Sequence, residues 1–426
     1  NLDPENLAYH VRFLAKRGVN MMRVHGNIAG TKEGQAITDV NEQAIERIQR
    51  FVAACAEEGM YTTISPYWYH HGIPASWAPS LPGWKKGQRP TGSLFFSPPY
   101  IAAYKGWVKE LYTRPNPWHP ERLPLKDDPS VAILQVKNED SLLFYTFQGL
   151  PREQVMVLMP RWRAFLEEKY GSLDQAFAAW DGAKLREGAG NAVGKVGDDP
   201  ERGIVGLYIT WEFTQDRRGG KHQRLTDQLE FLAQVQRGFY EEIERYLRED
   251  LGCRQLVNAM NWKSADKLHT DDVERWTYLG NEVVAVNRYT GGVHKGQNNG
   301  YRIDPGHTLE NRSVLRHPLT LPVALKQPVG HPMIVTESTW VRPNRYQAEG
   351  AFLTAAYMSL NGVDSLYWFA HGVEDWLRDP RRTFWHVKRG TPRGYALQKW
   401  SCALPTLQGT WPANALLYRR GDLRRG

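Results

Sequence analysis

Short apolar runs alternate along the chain with longer segments whose apolar residues recur at helical spacing. That alternation predicts β/α units and a parallel sheet. The chain opens on a helix: Asp3-Pro4-Glu5 is a start signal, Leu7, Val11 and Leu14 share one face, and Gly18 stops it. Residues 19–24 then read as a strand. A helix over 41–58 places Ile45, Ile48, Phe51 and Val52 on one side, and Gly59 ends it before a strand at 61–64. A helix around 100–112 leads to a strand at 131–136, and later strands fall at 255–258, 283–286, 333–335 and 365–368. These are seven, whereas a closed (β/α)8 barrel needs eight. The first strand is therefore expected ahead of Asn1, outside the given chain.

Two long stretches interrupt the alternation, at about 140–254 and 290–330. The first holds helices near 152–170 and 173–180, a Gly-rich run at 182–203 and a long helix over about 225–251. The second is rich in Gly, Asn, His and Pro and reads as loop. In a barrel such β-to-α connections crown the face where active sites form. The barrel is expected to occupy residues 1–410. Residues 415–418 predict a strand beyond it, so that 411–426 begin an accessory β domain.

A length of 426 residues accommodates such a barrel with its insertions. Composition changes the picture in one respect: 16 Trp and 20 Tyr suit surfaces that stack on the flat faces of sugar rings, although each is equally explained as core. The formal charge of +8 is spread along the chain apart from short runs such as Arg381-Arg382, Arg419-Arg420 and Arg424-Arg425. No recognition helix or RNA-binding signature accompanies it, which argues against a nucleic-acid partner and leaves acidic or sulfated polysaccharides open. Three separated cysteines, Cys55, Cys253 and Cys402, form neither a zinc pattern nor a disulfide framework. No apolar run reaches membrane-spanning length. With no initiator Met and no leader, the N-terminus reads as processed, trimmed or partial.

Two segments carry the chemistry. The run Leu134-Gln135-Val136-Lys137-Asn138-Glu139-Asp140 takes a buried strand directly into Asn-Glu, and Met333-Ile334-Val335-Thr336-Glu337-Ser338 ends another strand in a lone Glu. Both carboxylates stand where a strand's C-terminal end meets its loop. In the fourth and seventh barrel positions they face each other across the mouth. Retaining hydrolysis of a glycosidic bond needs such a pair about 5–5.5 Å apart. One glutamate protonates the leaving oxygen while the other attacks the anomeric carbon.

These segments resemble clan A of the glycoside hydrolases, marked by catalytic Glu residues at the ends of strands four and seven. The likeness runs from Gly18 to Trp368. Residues Gly18-Val19-Asn20-Met21-Met22-Arg23-Val24-His25 resemble the second strand of the cellulase-type family five, implying that Arg23 positions the nucleophile. The same resemblance implies that Asn138 binds the substrate 2-hydroxyl beside an acid/base Glu139. It further implies that Tyr289 holds the nucleophile Glu337, and that Trp368 floors the first sugar subsite. The stretch from Arg161 to Leu173, running on to Trp180, resembles the helical segment after strand four in family-forty-two β-galactosidases. The chain departs from family five at Asn287, where that family carries His, and after the third strand, which continues Ser65-Pro66-Tyr67-Trp68-Tyr69-His70-His71.

Each role that the resemblance implies carries a physical requirement. A general acid must hold its proton near neutrality and needs a desolvated or anionic setting, whereas a nucleophile must be ionised and is served by a cation and a hydroxyl donor. Further candidates for substrate contact are His25, Trp68, Tyr69, His70, Trp77, Trp84, Trp262, Asn287 and Trp340, each with a structural alternative. Asp140 either tunes the acid or caps its loop. No His-x-His motif supports a metal-dependent hydrolase, and no Gly-x-Ser-x-Gly elbow supports a serine nucleophile. A non-catalytic carbohydrate-binding barrel remains the main rival. No cofactor is expected, the partner is a carbohydrate, and a polymeric substrate would imply periplasmic or extracellular residence.

Overall fold

The computed structural model describes residues 4–68, 72–297, 299–300, 302–371 and 397–426. Tyr69, His70 and the Arg381-Arg382 run lie outside them.

All seven expected strands form. Helix α1 (Pro4–Ala15) precedes β1 (Met21–His25), then α2 (Glu42–Glu57), β2 (Tyr61–Ser65), α3 (Pro98–Thr113) and β3 (Val131–Gln135). The first insertion folds as α4 (Arg152–Tyr170), α5 (Leu173–Ala179) and α6 (Gly219–Arg245), before β4 (Leu256–Asn258). The chain continues through α7 (Asp271–Tyr278), β5 (Val284–Asn287), β6 (Met333–Ser338), α8 (Gly350–Asn361), β7 (Ser365–Trp368) and α9 (Trp411–Arg419). Local chemistry sets these limits. The Asn41 side chain accepts from the Ala44 N–H at 3.2 Å and caps α2, while Gly18 and Gly59 leave their helices in the left-handed region at φ 82° and 69°.

The strands lie in sequence order and every pairing is parallel: β1–β2–β3–β4 form one ladder and β5–β6–β7 another. A parallel bridge from Asn258 to Val283 joins the two. The sheet thus curves through seven barrel positions. Its interior carries Ile133, Val283, Ala285, Ile334 and Tyr367, and the Tyr367 hydroxyl reaches Thr63 Oγ1 across it at 2.6 Å. Between β7 and β1 no ladder pairing occurs among the described residues.

The insertion is anchored electrostatically. Arg224 of α6 is buried, makes two bonds of 2.6–2.7 Å to the Asp198 carboxylate and donates to the carbonyls of Ala183 and Gly206. Helix α6 begins six residues before the expected 225. Gly219-Gly220 reads as a breaker, yet here it is required: a Cβ on Gly220 would lie 1.7 Å from the Trp180 carbonyl oxygen. The second insertion is loop as expected, pinned by two-residue antiparallel ladders of His294–Lys295 with Thr308–Leu309 and Arg302–Ile303 with Leu397–Gln398.

One expectation fails. Residues 415–418 are helical, within α9, and no accessory strand begins there. Ala-Leu-Leu-Tyr is as compatible with a helix as with a strand, and tertiary packing decides between them. Here Ala415 closes on Gly18, where a Cβ would come within 2.4 Å of the Ala415 Cβ, and Trp411 stacks on Trp368. The three cysteines are buried and free.

Candidate active site

Strand alternation alone would turn Glu337 away from the barrel interior. Ile334 faces inward and Val335 packs outward, so strict alternation sends Thr336 in and Glu337 out. The register is broken instead. Val286 pairs with Val335 but Asn287 pairs with Glu337, leaving two residues of β6 opposite one of β5. Such a bulge re-aims a side chain. It brings Glu337 to the same level as Asn287, facing the mouth.

Arg23 organises the floor. From the middle of β1 its guanidinium donates to Glu337 Oε1 at 2.8 Å, Gln135 Oε1 at 2.8 Å, Asn138 Oδ1 at 2.6 Å and Ser65 Oγ at 3.2 Å. The Arg23–Glu337 pair is almost wholly out of water, with side-chain exposures of 3% and 6%. A planar, permanently charged fork suits that geometry. The other carboxylate oxygen of Glu337 accepts from the Tyr289 hydroxyl at 2.7 Å. Burial, and next the Glu337 charge, drive the Tyr289 hydroxyl well above its ordinary pKa, so it stays a donor.

Glu139 is held differently. Its backbone is in the left-handed region at φ 35°, a conformation that costs a non-glycine residue about 1–3 kcal/mol. Its N–H donates to Asn261 Oδ1 at 3.1 Å, while Asn261 Nδ2 donates to Asn138 Oδ1 at 2.8 Å, so one amide fixes both residues. Asn287 Nδ2 donates to Glu139 Oε1 at 2.7 Å, and the Thr336 hydroxyl sets that amide's orientation by donating to Asn287 Oδ1, also at 2.7 Å. Asn287, paired with Glu337 in the sheet and bonded to Glu139, is the physical link between the two carboxylates.

Their protonation is asymmetric. Burial first, and the negative charge of Glu337 second, push Glu139 up to about 8, against the opposing pull of the Asn287 hydrogen bond and the Arg23 charge. Burial and the neighbouring Glu337 charge thus favour a proton on Glu139, whereas Glu337 faces the Arg23 guanidinium. That division permits proton donation by one group and nucleophilic attack by the other.

Both glutamates line one cavity of about 1630 Å³, together with Arg23, His25, Asn138, Asn287, Tyr289, Trp68, Trp262 and Trp368. His25 Nδ1 lies 3.3 Å from Ser65 Oγ, and its ring sits 5.2 Å from that of Trp68. Trp340, expected to contact substrate, does not reach the cavity. It is fully buried, packs on Gly350 and directs its Nε1 to Glu349 Oε1 at 3.4 Å. Trp77 and Trp84 are core as well, the first stacked on Trp107 and the second bonded to Ser93 Oγ at 2.8 Å. Trp and Gly packing of this kind leaves no trace in local sequence. Asp140 is buried, accepting from Lys137 Nζ at 2.5 Å and the Gly92 N–H at 2.8 Å, and so anchors its loop.

Sequence reasoning passed over Gln135, Asn261, Lys263 and Trp400. Gln135 was legible: a polar residue ending an apolar strand, on the face that Arg23 shares. Trp400, 6.0 Å from Tyr289, was not, because it arrives from the far end of the chain. Among the described residues no three His, Cys, Asp or Glu side chains gather as a metal site requires.

No protein-family model matches the chain, and no curated protein does. Solved structures do. The chain is similar to a glycoside hydrolase family 5 mannosidase from Rhizomucor miehei, with a TM-score of 0.50 and 11% identity over 98% of this chain and 89% of that one. It also resembles an endo-β-1,4-mannanase from Thermotoga petrophila (TM-score 0.49, 11% identity, 100% and 76% coverage). A third is XEG5B, a family 5 xyloglucan-specific β-1,4-glucanase from a ruminal metagenomic library (TM-score 0.46, 12% identity, 97% and 86% coverage). At such identities the likeness is one of fold, and on the first of these comparisons the chain has the α/β barrel fold of glycoside hydrolase family 5.

Proposed function

We propose that this chain is a retaining glycoside hydrolase that cleaves β-glycosidic bonds by double displacement, with Glu139 as acid/base and Glu337 as nucleophile. The observation that carries the reading is two glutamates in one cavity with opposite surroundings: Glu337 paired with Arg23, and Glu139 buried, bonded to Asn287 and pushed up to about 8.

In the first half-reaction Glu337 attacks the anomeric carbon as Glu139 passes its proton to the leaving oxygen. Arg23 and the Tyr289 hydroxyl each hold one oxygen of Glu337 and keep it aligned until the bond forms. Once Glu337 is esterified its charge is gone, and with it the second-largest influence raising Glu139. Glu139 then ionises more readily and takes a proton from water, which attacks the glycosyl-enzyme and releases product with retained configuration. Asn138, whose Oδ1 is occupied by Arg23 and Asn261, offers its amide N–H to the sugar 2-hydroxyl. Trp368 and Trp68 supply apolar faces for sugar rings, and His25 a polar contact. The fold likeness to family 5 is consistent with this chemistry.

The test replaces Glu337 with Ala and supplies azide with an activated aryl glycoside. Turnover without azide falls by more than about 10³-fold, and azide, occupying the vacated space, yields a glycosyl azide of inverted configuration. Unchanged turnover in the Ala variant removes the reading. A carbohydrate-binding barrel without catalysis predicts sugar binding with no hydrolysis in the wild-type protein.

A further inference from the structure

The wall of the cavity beside Glu139 is positively charged in a way the hydrolytic mechanism does not use. After β4 the chain turns through residues 259–270, and Trp262, Lys263 and Lys267 from this loop all line the cavity. The turn is closed by Asp266, whose Oδ1 accepts from the N–H groups of Leu268 at 2.7 Å and His269 at 3.1 Å and lies 3.2 Å from the His269 ring. That carboxylate is spent on the loop. The other acids around this wall are likewise engaged: Asp271 with Arg275 at 3.4 Å, Asp272 with Lys326 at 2.7 Å, Glu310 with Arg312.

Lys263 and Lys267 have no carboxylate within ion-pair distance among the described residues. Both residues keep surface open to the cavity solvent, but enough protein surrounds Lys263 that partial desolvation, and next the charge of Lys267, hold it below its ordinary pKa, while Glu139 pulls it the other way. Two like charges brought together without a counter-ion at the wall of a cleft destabilise the empty protein. They favour an anion arriving with the ligand.

We propose that Lys263 and Lys267 form a subsite for an anionic group on the sugar bound next to Glu139, so that the substrate is an acidic glycan bearing a carboxylate or a sulfate. This rests on the glycosidase reading above. Glu139 protonates the leaving oxygen, so the anion belongs to the sugar on the leaving side of the scissile bond. The ammonium groups read charge rather than a planar carboxylate in particular, since Lys, unlike Arg, presents a point charge.

The experiment uses Glu139→Gln protein, which keeps the cavity but slows turnover, and calorimetric titration with three short oligosaccharides: β-linked oligomannuronate, a sulfated galactan oligomer and a neutral manno-oligosaccharide. At about 20 mM salt one anionic ligand binds about tenfold more tightly than the neutral one, the gain expected of two partly solvated charge contacts. That preference shrinks at about 200 mM salt through screening. Adding Lys263→Gln and Lys267→Gln removes it. Preference for the mannuronate identifies a carboxylate, and preference for the galactan a sulfate. Equal or tighter binding of the neutral ligand, or a preference that survives the double substitution, overturns the proposal. If the wild-type protein meanwhile hydrolyses neutral aryl glycosides in a Glu337-dependent manner, the glycosidase reading stands without it. Failure of every ligand to bind, with no hydrolysis, overturns both.

Discussion

Asn287 shows how one side chain tunes two others. Its amide N–H favours the ionised form of Glu139, opposing burial and the Glu337 charge. Activity that needs Glu139 protonated falls as pH rises through about 8. Removing the donor in Asn287→Ala deletes the largest influence that lowers Glu139, leaving only the Arg23 and Lys263 charges against burial and Glu337, so the alkaline limb of kcat/KM moves to higher pH. A limb that moves down in a pH–rate series contradicts the assignment. Stability follows with its own sign. The carboxyl ionises near about 4.3 when unfolded but near about 8 when folded. The native state therefore binds the proton longer, and stability declines between those two values as pH rises. Glu139→Gln has no such penalty: thermal melts place it above wild type, by a margin that widens up to about pH 8 and then levels. An unvarying margin would show that Glu139 is not desolvated.

Arg23 carries the opposite lesson. Substituting Met leaves the Glu337 charge buried without its counter-ion, a loss of about 3–5 kcal/mol where a buried pair is broken from one side. Denaturant titration of Arg23→Met should show that loss, and Arg23→Lys should recover only part of it because one ammonium cannot serve four acceptors at once. Full recovery by Lys would mean that charge alone matters here.

At the scale of elements, the strands were legible and their exact aim was not. Short apolar runs between helical periods located all seven, and strand-end position singled out Glu139 and Glu337. What alternation could not reveal is the β6 bulge that turns Glu337 inward, since a bulge is set by pairing with β5 and β7 rather than by the residues themselves. Helix α6 teaches a related point. A Gly-Gly pair reads as a helix breaker, but here Gly220 allows α6 to pass against the Trp180 carbonyl. Gly220→Ala, harmless in a free helix, forces a backbone shift and costs about 1–3 kcal/mol, the range for overpacking. A Gly220→Ala protein as stable as wild type would show that the approach is not tight. Residues 415–418 form a helix rather than the expected strand for a similar reason: four residues do not distinguish the two until Gly18 packs on Ala415 and Trp368 on Trp411 of the same helix.

At the scale of the whole molecule, the site is an agreement among distant parts of the chain. β1 supplies the arginine, the loops after β3 and β4 supply Glu139 and Asn261, β5 and the residue just beyond its neighbour supply Asn287 and Tyr289, and β6 supplies Glu337. Aromatic residues divide by depth: Trp340, Trp77 and Trp84 hold the scaffold, while Trp68, Trp262 and Trp368 face the cavity. Counting tryptophans pointed to sugar stacking, but only the packing separates the two groups.

The most direct measurement is covalent capture. A 2-deoxy-2-fluoro glycoside with a good leaving group slows breakdown of a glycosyl-enzyme, and mass spectrometry of the digested protein locates the sugar. One sugar per chain is expected, on Glu337 in the peptide containing Met333–Ser338, with time-dependent loss of activity that Arg23 and Tyr289 variants slow. A label on any other residue, or steady turnover of the fluorinated substrate with no adduct and inverted product, would contradict it.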